Sequence, residues 1–295
     1  MRCYSLFAGI GGFDLALQNQ GHEIVGACEI DNAARRIYAK NFGNEPSELD
    51  AKQVRPEELP DFDLLCAGFP CQAFSIAGKR LGFEESRGTL FFEIARIAKQ
   101  KRPRYLLLEN VEGLLFHARG KTFANILATL DELGYDAEWQ VFYSKYFVPQ
   151  NRPRVIIIGH LRGQPTRKIF PITGDNDQTI QLRRKGTKEN QEGGNLILVR
   201  DSASQTCRIY DPKGIARTLD ATPRGWGGTT GIYYINGKYR KLTPLECERV
   251  QGFSDNWTDG FSDIDRCRKI GNAVPVPLIE FIVECLTKEK DCSPK

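Results

Sequence analysis

The sequence predicts an α/β protein: a parallel sheet covered by helices, followed by a smaller, irregular β-rich domain. Three observations predict it. Short apolar runs at residues 24–28, 63–67 and 105–108 alternate with stretches whose apolar residues recur every three or four positions. Residues 160–240 then lose that helical period and become rich in Gly, Asn, Thr and Arg. Finally the chain returns to a strongly apolar helix, with Leu278, Ile279, Ile282, Val283 and Leu286 in register, which needs a sheet to pack on. The implied boundaries are a larger domain over 1–175 plus 271–295, a small domain over 176–243, and a connector over 244–270. At 295 residues the chain is long enough for both domains.

The elements follow in order. Residues 2–7 lead into Gly9-Ile10-Gly11-Gly12, and Phe13, Ala16 and Leu17 then share one helix face that Gly21 ends. Ile24–Cys28 is a second strand. Asp31 can cap a helix through Ile37 and Tyr38 that stops at Asn41-Phe42-Gly43. The run Asp63–Ala67 is a buried strand, and Gly68 and Pro70 stop it. A helix over 88–99 carries Leu90, Ile94 and Ile97 in register. Tyr105–Leu108 is the next strand, followed by a helix with Phe123, Ile126, Leu127, Leu130 and Leu133 on one face and Gly134 after it. Strands at 139–143 and 155–159 flank Gln150-Asn151-Arg152-Pro153-Arg154, where alternation points Gln150, Arg152 and Arg154 one way. Short strands are expected at 196–199 and 231–235, and a helix at 244–250.

Composition narrows the class. Hydrophobic residues make up 41% and charged residues 26%, as in an ordinary globular chain, and no stretch reads as a membrane span. The N-terminus runs straight into a strand and is too short for a signal peptide. Nine cysteines, an odd number with no Cys-x-x-Cys pair, argue for reduced thiols in a cytoplasm. Three scattered histidines form no metal-ligand spacing. Net charge is +4, but residues 161–217 carry eleven Lys/Arg against six Asp/Glu. That local excess suits either a polyanion or a solvated loop region.

Two stretches carry candidate chemistry. Cys71 follows Gly68-Phe69-Pro70 at the carboxyl end of a predicted strand, where α/β sheets bind substrates. A thiol there is either a nucleophile or a small buried hydrophobe. The second is the glycine loop with Glu29 placed 20 positions after Gly9. Glycines admit a ligand close to the backbone, and a carboxylate accepts bonds from ribose hydroxyls. Asp14 stands where a dinucleotide fingerprint needs its third glycine, so a nucleoside without a pyrophosphate fits better, and an NAD-dependent dehydrogenase fits worst. A tight strand-to-helix turn is the plain alternative.

Five stretches stand in a telling order: Phe7-x-Gly9-x-Gly11-Gly12, Gly68-Phe69-Pro70-Cys71-Gln72, Glu109-Asn110-Val111, Gln150-x-Arg152-x-Arg154 and Gly271-Asn272-Ala273-Val274-Pro275. The chain thereby resembles the DNA (cytosine-5)-methyltransferases, as a compact bacterial or phage member of the restriction-modification type. The resemblance covers nearly the whole chain apart from about 168–200. It implies a Rossmann-like S-adenosylmethionine-dependent methyltransferase domain, a smaller target-recognition domain, and no metal.

The roles it implies are as follows. Cys71 adds to carbon 6 of a cytosine flipped out of duplex DNA, so that carbon 5 takes the methyl group. Glu109 hydrogen-bonds the ring at N3 and the amino group, and Arg152 and Arg154 hold the pyrimidine carbonyl and the local charge. S-adenosyl-L-methionine is the donor and S-adenosyl-L-homocysteine the product. Phe7 stacks on the adenine, Glu29 binds the ribose, and Asp50 contacts the adenine amino group. Gly9, Gly11, Gly12, Ile30, Ala51, Pro70, Leu90 and Asn272 line that pocket, with Ile30 standing where some relatives carry an aromatic. On the DNA side the resemblance implies Gln72 and Ser75 beside Cys71, Gln205 filling the hole left by the base, Arg208 on a base or phosphate, and Thr218 on the flipped backbone. The expected partner is double-stranded DNA, bound by a monomer that makes no direct contact with any cognate restriction endonuclease. Two other functions stay open: an RNA or tRNA cytosine-5 methyltransferase on the same fold, and a catalytically silent DNA-binding regulator.

Overall fold

The computed structural model describes residues 1–47, 50–70, 90–170, 197–201, 208–221 and 230–287. Strands β1 (Arg2–Leu6), β2 (Glu23–Cys28), β3 (Leu64–Gly68), β4 (Tyr105–Val111), β5 (Tyr135–Tyr143) and β6 (Pro153–Leu161) form one sheet in the order β2-β1-β3-β4-β6-β5. β1 to β4 pair in parallel, while β6 pairs antiparallel with both β4 and β5. The sheet is therefore mixed rather than parallel. The reversal was not legible locally, because strand direction is set by what pairs across the sheet and not by apolar alternation. β5 also begins four residues before the predicted 139–143, and β6 extends beyond the predicted 155–159 at both ends.

Alternate strand residues supply two cores, one on each face of the sheet. Cys66, Leu107, Ile156 and Ile158 face the side covered by α1 (Gly12–Asn19), α2 (Asn32–Phe42) and α7 (Val276–Thr287). Leu65, Leu106, Leu108, Val155 and Ile157 face α3 (Leu90–Lys101) and α4 (Lys121–Glu132). The helix limits follow local chemistry. Asp31 accepts from the Ala34 N–H at 2.8 Å to cap α2, and Gly43 ends that helix in the left-handed region. At the start of α1, Gly11 has φ 87°, and a Cβ there would lie 2.2 Å from Phe42 Cε2. Only glycine fits both conditions.

Asp14, in the first turn of α1, is fully buried. The Ser5 hydroxyl donates to its Oδ1 at 2.6 Å, and the Tyr38 phenol lies beside it. Burial pushes this carboxyl up to about 7.

A second, four-stranded sheet has the order β10-β9-β8-β7, from β7 (Leu198–Arg200), β8 (Ile209–Tyr210), β9 (Ile232–Ile235) and β10 (Lys238–Arg240). β7 and β9 lie at the short strands expected at 196–199 and 231–235, while β8 and β10 have no counterpart in the sequence reading. The chain then forms α5 (Pro244–Gln251), whose Thr243 and Glu246 make a reciprocal capping box, and α6 (Asp263–Asn272). α6 lies inside the stretch read from sequence as a connector. Its only buried apolar side chains are Cys267 and Ile270, too few for a periodic signal. Cys247, Phe253, Trp257, Cys267 and Ile270 all join the core of α1 and α7.

Taken together, Asp263–Thr287 is long and apolar enough by composition to cross a membrane, contrary to the expectation from sequence. The run bends at Ala273 (φ −72°, ψ 156°), and 67% of its most apolar window is buried inside the fold. Its second helix, α7, packs on α1.

The α5–α6 connection is organised by Glu248, which is fully buried. Its carboxylate accepts from the N–H groups of Asn256 and Thr258 at 2.8 Å each, from the Thr258 hydroxyl, and from Arg266 at 3.1 Å. Removing it takes the carboxylate from Arg266, which keeps only its Nε bond to the Thr258 hydroxyl, and leaves the buried Thr258 amide and the Asn256 amide unpaired. Glu248→Ala should lower stability by about 3–5 kcal/mol in urea unfolding. Asp14 generates a prediction of opposite sign. Its folded pKa lies above the unfolded value, so between about pH 4 and 7 the unfolded chain releases a proton that the folded chain keeps. Stability is then lost as pH rises through that window. Asp14→Asn removes this loss, so its stability relative to wild type should climb from near zero at pH 4 to about 4 kcal/mol at pH 8. A gain independent of pH would contradict the buried, raised carboxyl.

Candidate active site

The carboxyl ends of β1, β3 and β4 open into a cleft of about 820 Å³, walled by both sheets' connecting segments. On one side lie Phe7, Gly9, Gly12, Glu29 and Asp31, and on another Gly68, Phe69, Pro70, Glu109 and Asn110. Arg152, Arg154, Arg208, Thr218 and Asn272 complete it from later in the chain. The cleft thus gathers residues spread over most of the sequence.

Glu109 is the centre of its deeper part. β3 and β4 pair Gly68 with Glu109, which sets the end of β3 beside that carboxylate. Gly68 leaves room for it: a Cβ there would lie 3.3 Å from Glu109 Oε2. β6 pairs Val111 with Arg154, and its antiparallel sense brings its amino end to the edge where β4 has its carboxyl end. Arg154 Nε meets Glu109 Oε1 at 2.6 Å, with both side chains nearly buried. Asn110 Nδ2 donates to the Phe69 carbonyl at 2.7 Å and so steadies the Phe69-Pro70 turn.

Arg152 and Arg154, placed on one face by alternation, turn out to serve different partners. Arg152 precedes β6 and is buried. It donates through Nη1 to the Leu219 carbonyl at 2.9 Å and through Nη2 to that of Gly271 at 2.7 Å. Burial, then the neighbouring Arg154 charge, pulls its pKa below the ordinary arginine range. Gln150 is likewise buried. Its Oε1 accepts from Leu219 N–H at 2.9 Å and its Nε2 donates to Gln251 Oε1 at 3.0 Å. Gln251 passes the chain on to the Ile270 and Ala273 carbonyls, at 3.0 Å each. Gln150 and Arg152 are joints between segments, and Arg154 is the arginine that reaches Glu109.

The glycine-loop side has the features of a nucleoside pocket. Phe7, directly after β1, takes the left-handed conformation with φ 56° and lines the cleft. Glu29 is half-buried; Oε2 accepts from Gly9 N–H at 2.7 Å and Oε1 from Asp31 N–H at 2.8 Å. Each oxygen keeps a further lone pair for a hydroxyl donor. A Cβ added at Gly9 would meet no protein atom within 4 Å, so the space beside it is open. These residues fit an adenosyl cofactor without phosphates: a ring surface, a fixed carboxylate and an uncluttered backbone.

Not every predicted residue comes to the cleft. Ile30 is exposed, at 69%, beside Glu29 but off the wall. Gly11, Asp50, Ala51 and Leu90 also stand off the described walls. Asp50 opens a turn, and the Ala51 carbonyl accepts from Arg96 at 2.9 Å. Cys71, Gln72, Ser75 and Gln205 lie outside the described residues. Arg208 faces the cleft while its Nε donates to Asp201 at 2.8 Å, and Thr218 faces it while its hydroxyl donates to the Asn151 carbonyl. One pair escaped the sequence: Lys269 Nζ meets Asp31 Oδ2 at 2.5 Å across the cleft wall. Its signal was faint, a lysine two residues before Gly271-Asn272.

Comparison with known proteins gives this geometry its context. The sequence profile of the C-5 cytosine-specific DNA methylases matches residues 1–201 and 173–288. The Type II methyltransferase M.HhaI of Haemophilus parahaemolyticus is 37% identical over 305 residues, covering 96% of this chain and 93% of its own length. M1.ScrFI of Lactococcus lactis subsp. cremoris is 38% identical, with 98% and 79% covered, and M.HpaII of Haemophilus parainfluenzae is 36% identical, with 93% and 86% covered. In fold the chain is similar to the S. pombe Dnmt2 methyltransferase, with a TM-score of 0.72 at 19% identity, covering 96% of this chain and 97% of that one. The Entamoeba histolytica methyltransferase EhMeth gives a TM-score of 0.65 at 17% identity, with 97% of each chain covered. With a family profile along nearly its whole length and relatives above one-third identity over both domains, the chain belongs to the C-5 cytosine-specific DNA methylase family.

Proposed function

We propose that this chain methylates carbon 5 of a cytosine flipped out of duplex DNA, with Cys71 as nucleophile and Glu109 and Arg154 as the groups that hold the base. As a member of its family it is a DNA (cytosine-5-)-methyltransferase whose methyl donor is S-adenosylmethionine. The observation that carries the residue assignment is the Glu109–Arg154 pair beside the end of β3, three residues before Cys71.

The division of labour follows from chemistry. Carbon 5 of cytosine is a weak nucleophile, and a thiolate adding to carbon 6 drives electron density onto it. Cys71 forms that bond to carbon 6. Glu109 accepts from the exocyclic amino group and bonds N3, which takes up charge as the thiolate adds. Arg154 fixes the orientation of Glu109 through Nε and donates through Nη1 to the Pro153 carbonyl, which leaves Nη2 to meet the pyrimidine carbonyl. Arg152 keeps the segment before β6 in place through the Leu219 and Gly271 carbonyls. Glu29, Phe7, Gly9 and Asn272 are the residues that would hold the cofactor, which when bound supplies an electrophilic methyl group on a sulfonium. Loss of the carbon 5 proton to a base and elimination then free Cys71.

Arg208 and Thr218 face the same cleft from the small-sheet side and are assigned to the DNA. The relatives' designation as Type II methyltransferases supports a role in a restriction-modification system of a bacterial cytoplasm. The protein would act as a monomer without contacting its endonuclease. The small domain then spans roughly 176–243, and the larger one includes the C-terminal helix.

The deciding experiment is transfer of labelled methyl from S-adenosylmethionine to unmethylated duplex DNA, with tRNA in parallel and bisulfite sequencing of the DNA. Methylated cytosines within one repeated word are expected; label in tRNA alone would move the reading to an RNA enzyme. Cys71→Ala should abolish transfer while leaving cofactor and DNA binding nearly intact, and transfer at the wild-type rate would rule out the covalent route. Gly68→Ala, which crowds Glu109, should cut the rate about tenfold or more with little change in stability.

A further inference from the structure

Beyond Glu109 the same sheet edge continues into a surface that the catalytic roles leave unused. β4 ends at Val111 and β5 ends at Tyr143, with β6 between them. Val111 pairs with Arg154 and Tyr143 with Pro153, so the two flank the start of β6 on either side. Both are exposed, at 42% and 40%.

After Val111 the chain makes a 3-10 turn over Glu112–Leu115 and enters an unusual bend. Ala118, Arg119 and Gly120 are all left-handed, with φ 50°, 58° and 81°. L-residues enter that region at a cost, and such outliers cluster at functional surfaces. The bend is firmly built. Phe116 N–H donates to the Gly113 carbonyl at 3.2 Å and Arg119 N–H to that of Phe116 at 3.1 Å. His117 Nδ1 and the buried Thr122 hydroxyl share a hydrogen bond of 2.7 Å. The result is that Phe116 stands 74% exposed, with Arg119 and Lys121 exposed beside it in sequence.

Two cations of this edge, Arg119 and Lys121, stand apart from the ion pairs of the sheet. Several surface arginines are paired, as Arg55 is with Glu58, Arg162 with Asp136 and Arg249 with Asp255. The side chains of Arg119 and Lys121 have no such partner among the described residues. Segments 111–121 and 143–148 hold one carboxylate, Glu112, against Arg119, Lys121 and Lys145. Lys145 lies over the Tyr146 ring, 5.3 Å from its centroid.

We propose that the Phe116–Lys121 bend, with Tyr143 and Lys145 across β6, is a second DNA-contact surface that holds the sugar–phosphate backbone of the duplex flanking the flipped cytosine. The proposal rests on duplex DNA being the substrate. Unpaired cations beside exposed rings match a polyanion with apolar sugar faces. A second copy of this chain would bring the same uncompensated positive charge to the surface, which argues against self-association there. The rigid bend sets Arg119 in place before DNA arrives, which lowers the ordering cost of the contact.

The test uses the full chain and two duplexes that share one methylation site, one of about 30 base pairs and one trimmed close to the site, with binding followed by fluorescence anisotropy over a salt series. The Arg119→Ala/Lys121→Ala double variant should bind the long duplex about tenfold more weakly, with the slope of log affinity against log salt shallower by about two, one for each lost phosphate contact. Phe116→Ser should weaken the long duplex without changing the slope. The trimmed duplex should bind all three proteins alike, and cofactor affinity by calorimetry and the thermal midpoint should not move, since the altered side chains are exposed. Wild-type affinity and slope in the double variant on the long duplex would overturn the proposal. Failure of the wild-type protein to bind either duplex would instead overturn the substrate assignment on which it rests.

Discussion

In the main sheet β6 alone runs against its neighbours, and the Glu109–Arg154 pair depends on that reversal. Parallel strands deliver their carboxyl ends to one edge, so each contributes either its last residues or the loop beyond. An antiparallel strand contributes its first residues to the same edge, and these sit on a rigid ladder rather than in a loop. That is how Arg154 comes to lie 2.6 Å from Glu109. Both charges are held by strands, so holding them in place costs little further ordering. Gly68 completes the arrangement by having no side chain where the Glu109 carboxylate must sit.

Around that pair the structure spends polar burial on joining distant segments. Gln150, Arg152 and Gln251 bond to one another or to main-chain carbonyls and amides near 219, 250, 270 and 273. Burying such groups costs desolvation, and a hydrocarbon core of the same shape would be at least as stable. What the network adds is direction: a guanidinium fork or an amide accepts only one arrangement of carbonyls. It therefore fixes how the segment carrying Thr218 and Leu219 meets the segment carrying Gly271 and Asn272. Those segments form two walls of the cleft. Gly271 belongs to the same constraint, since a Cβ there would lie 3.1 Å from the Asp220 carbonyl carbon.

Much of the fold was legible because its signals are short-range. Asp31 and Gly43 bound α2 as a cap and a stop should, and Gly134 follows α4. The cores on the two sheet faces follow from alternation within each strand. The glycine loop, Glu29 and Glu109 were also legible, because their positions relative to strand ends are set within a few residues. Other features depend on residues far apart in sequence. α6 was missed because only Cys267 and Ile270 of its apolar side chains are buried, and they find their partners in α1 and α7. The Lys269–Asp31 pair joins residues 238 positions apart.

The sequence by itself determined the alternation of strands and helices, the ends of most helices, and the motifs that place this chain in its family. These follow from propensities and spacings that act over one or two turns of chain. Only the tertiary structure decided which arginine meets Glu109, which polar residues join distant segments, and that Arg119 and Lys121 on the left-handed bend beyond Val111 have no ion-pair partner among the described residues. The physical reason is the same in each case. Strand direction and the pairing of buried charges are settled by contacts made across the sheet, where one carboxylate or carbonyl chooses among several nearby cations, and no local pattern encodes that choice.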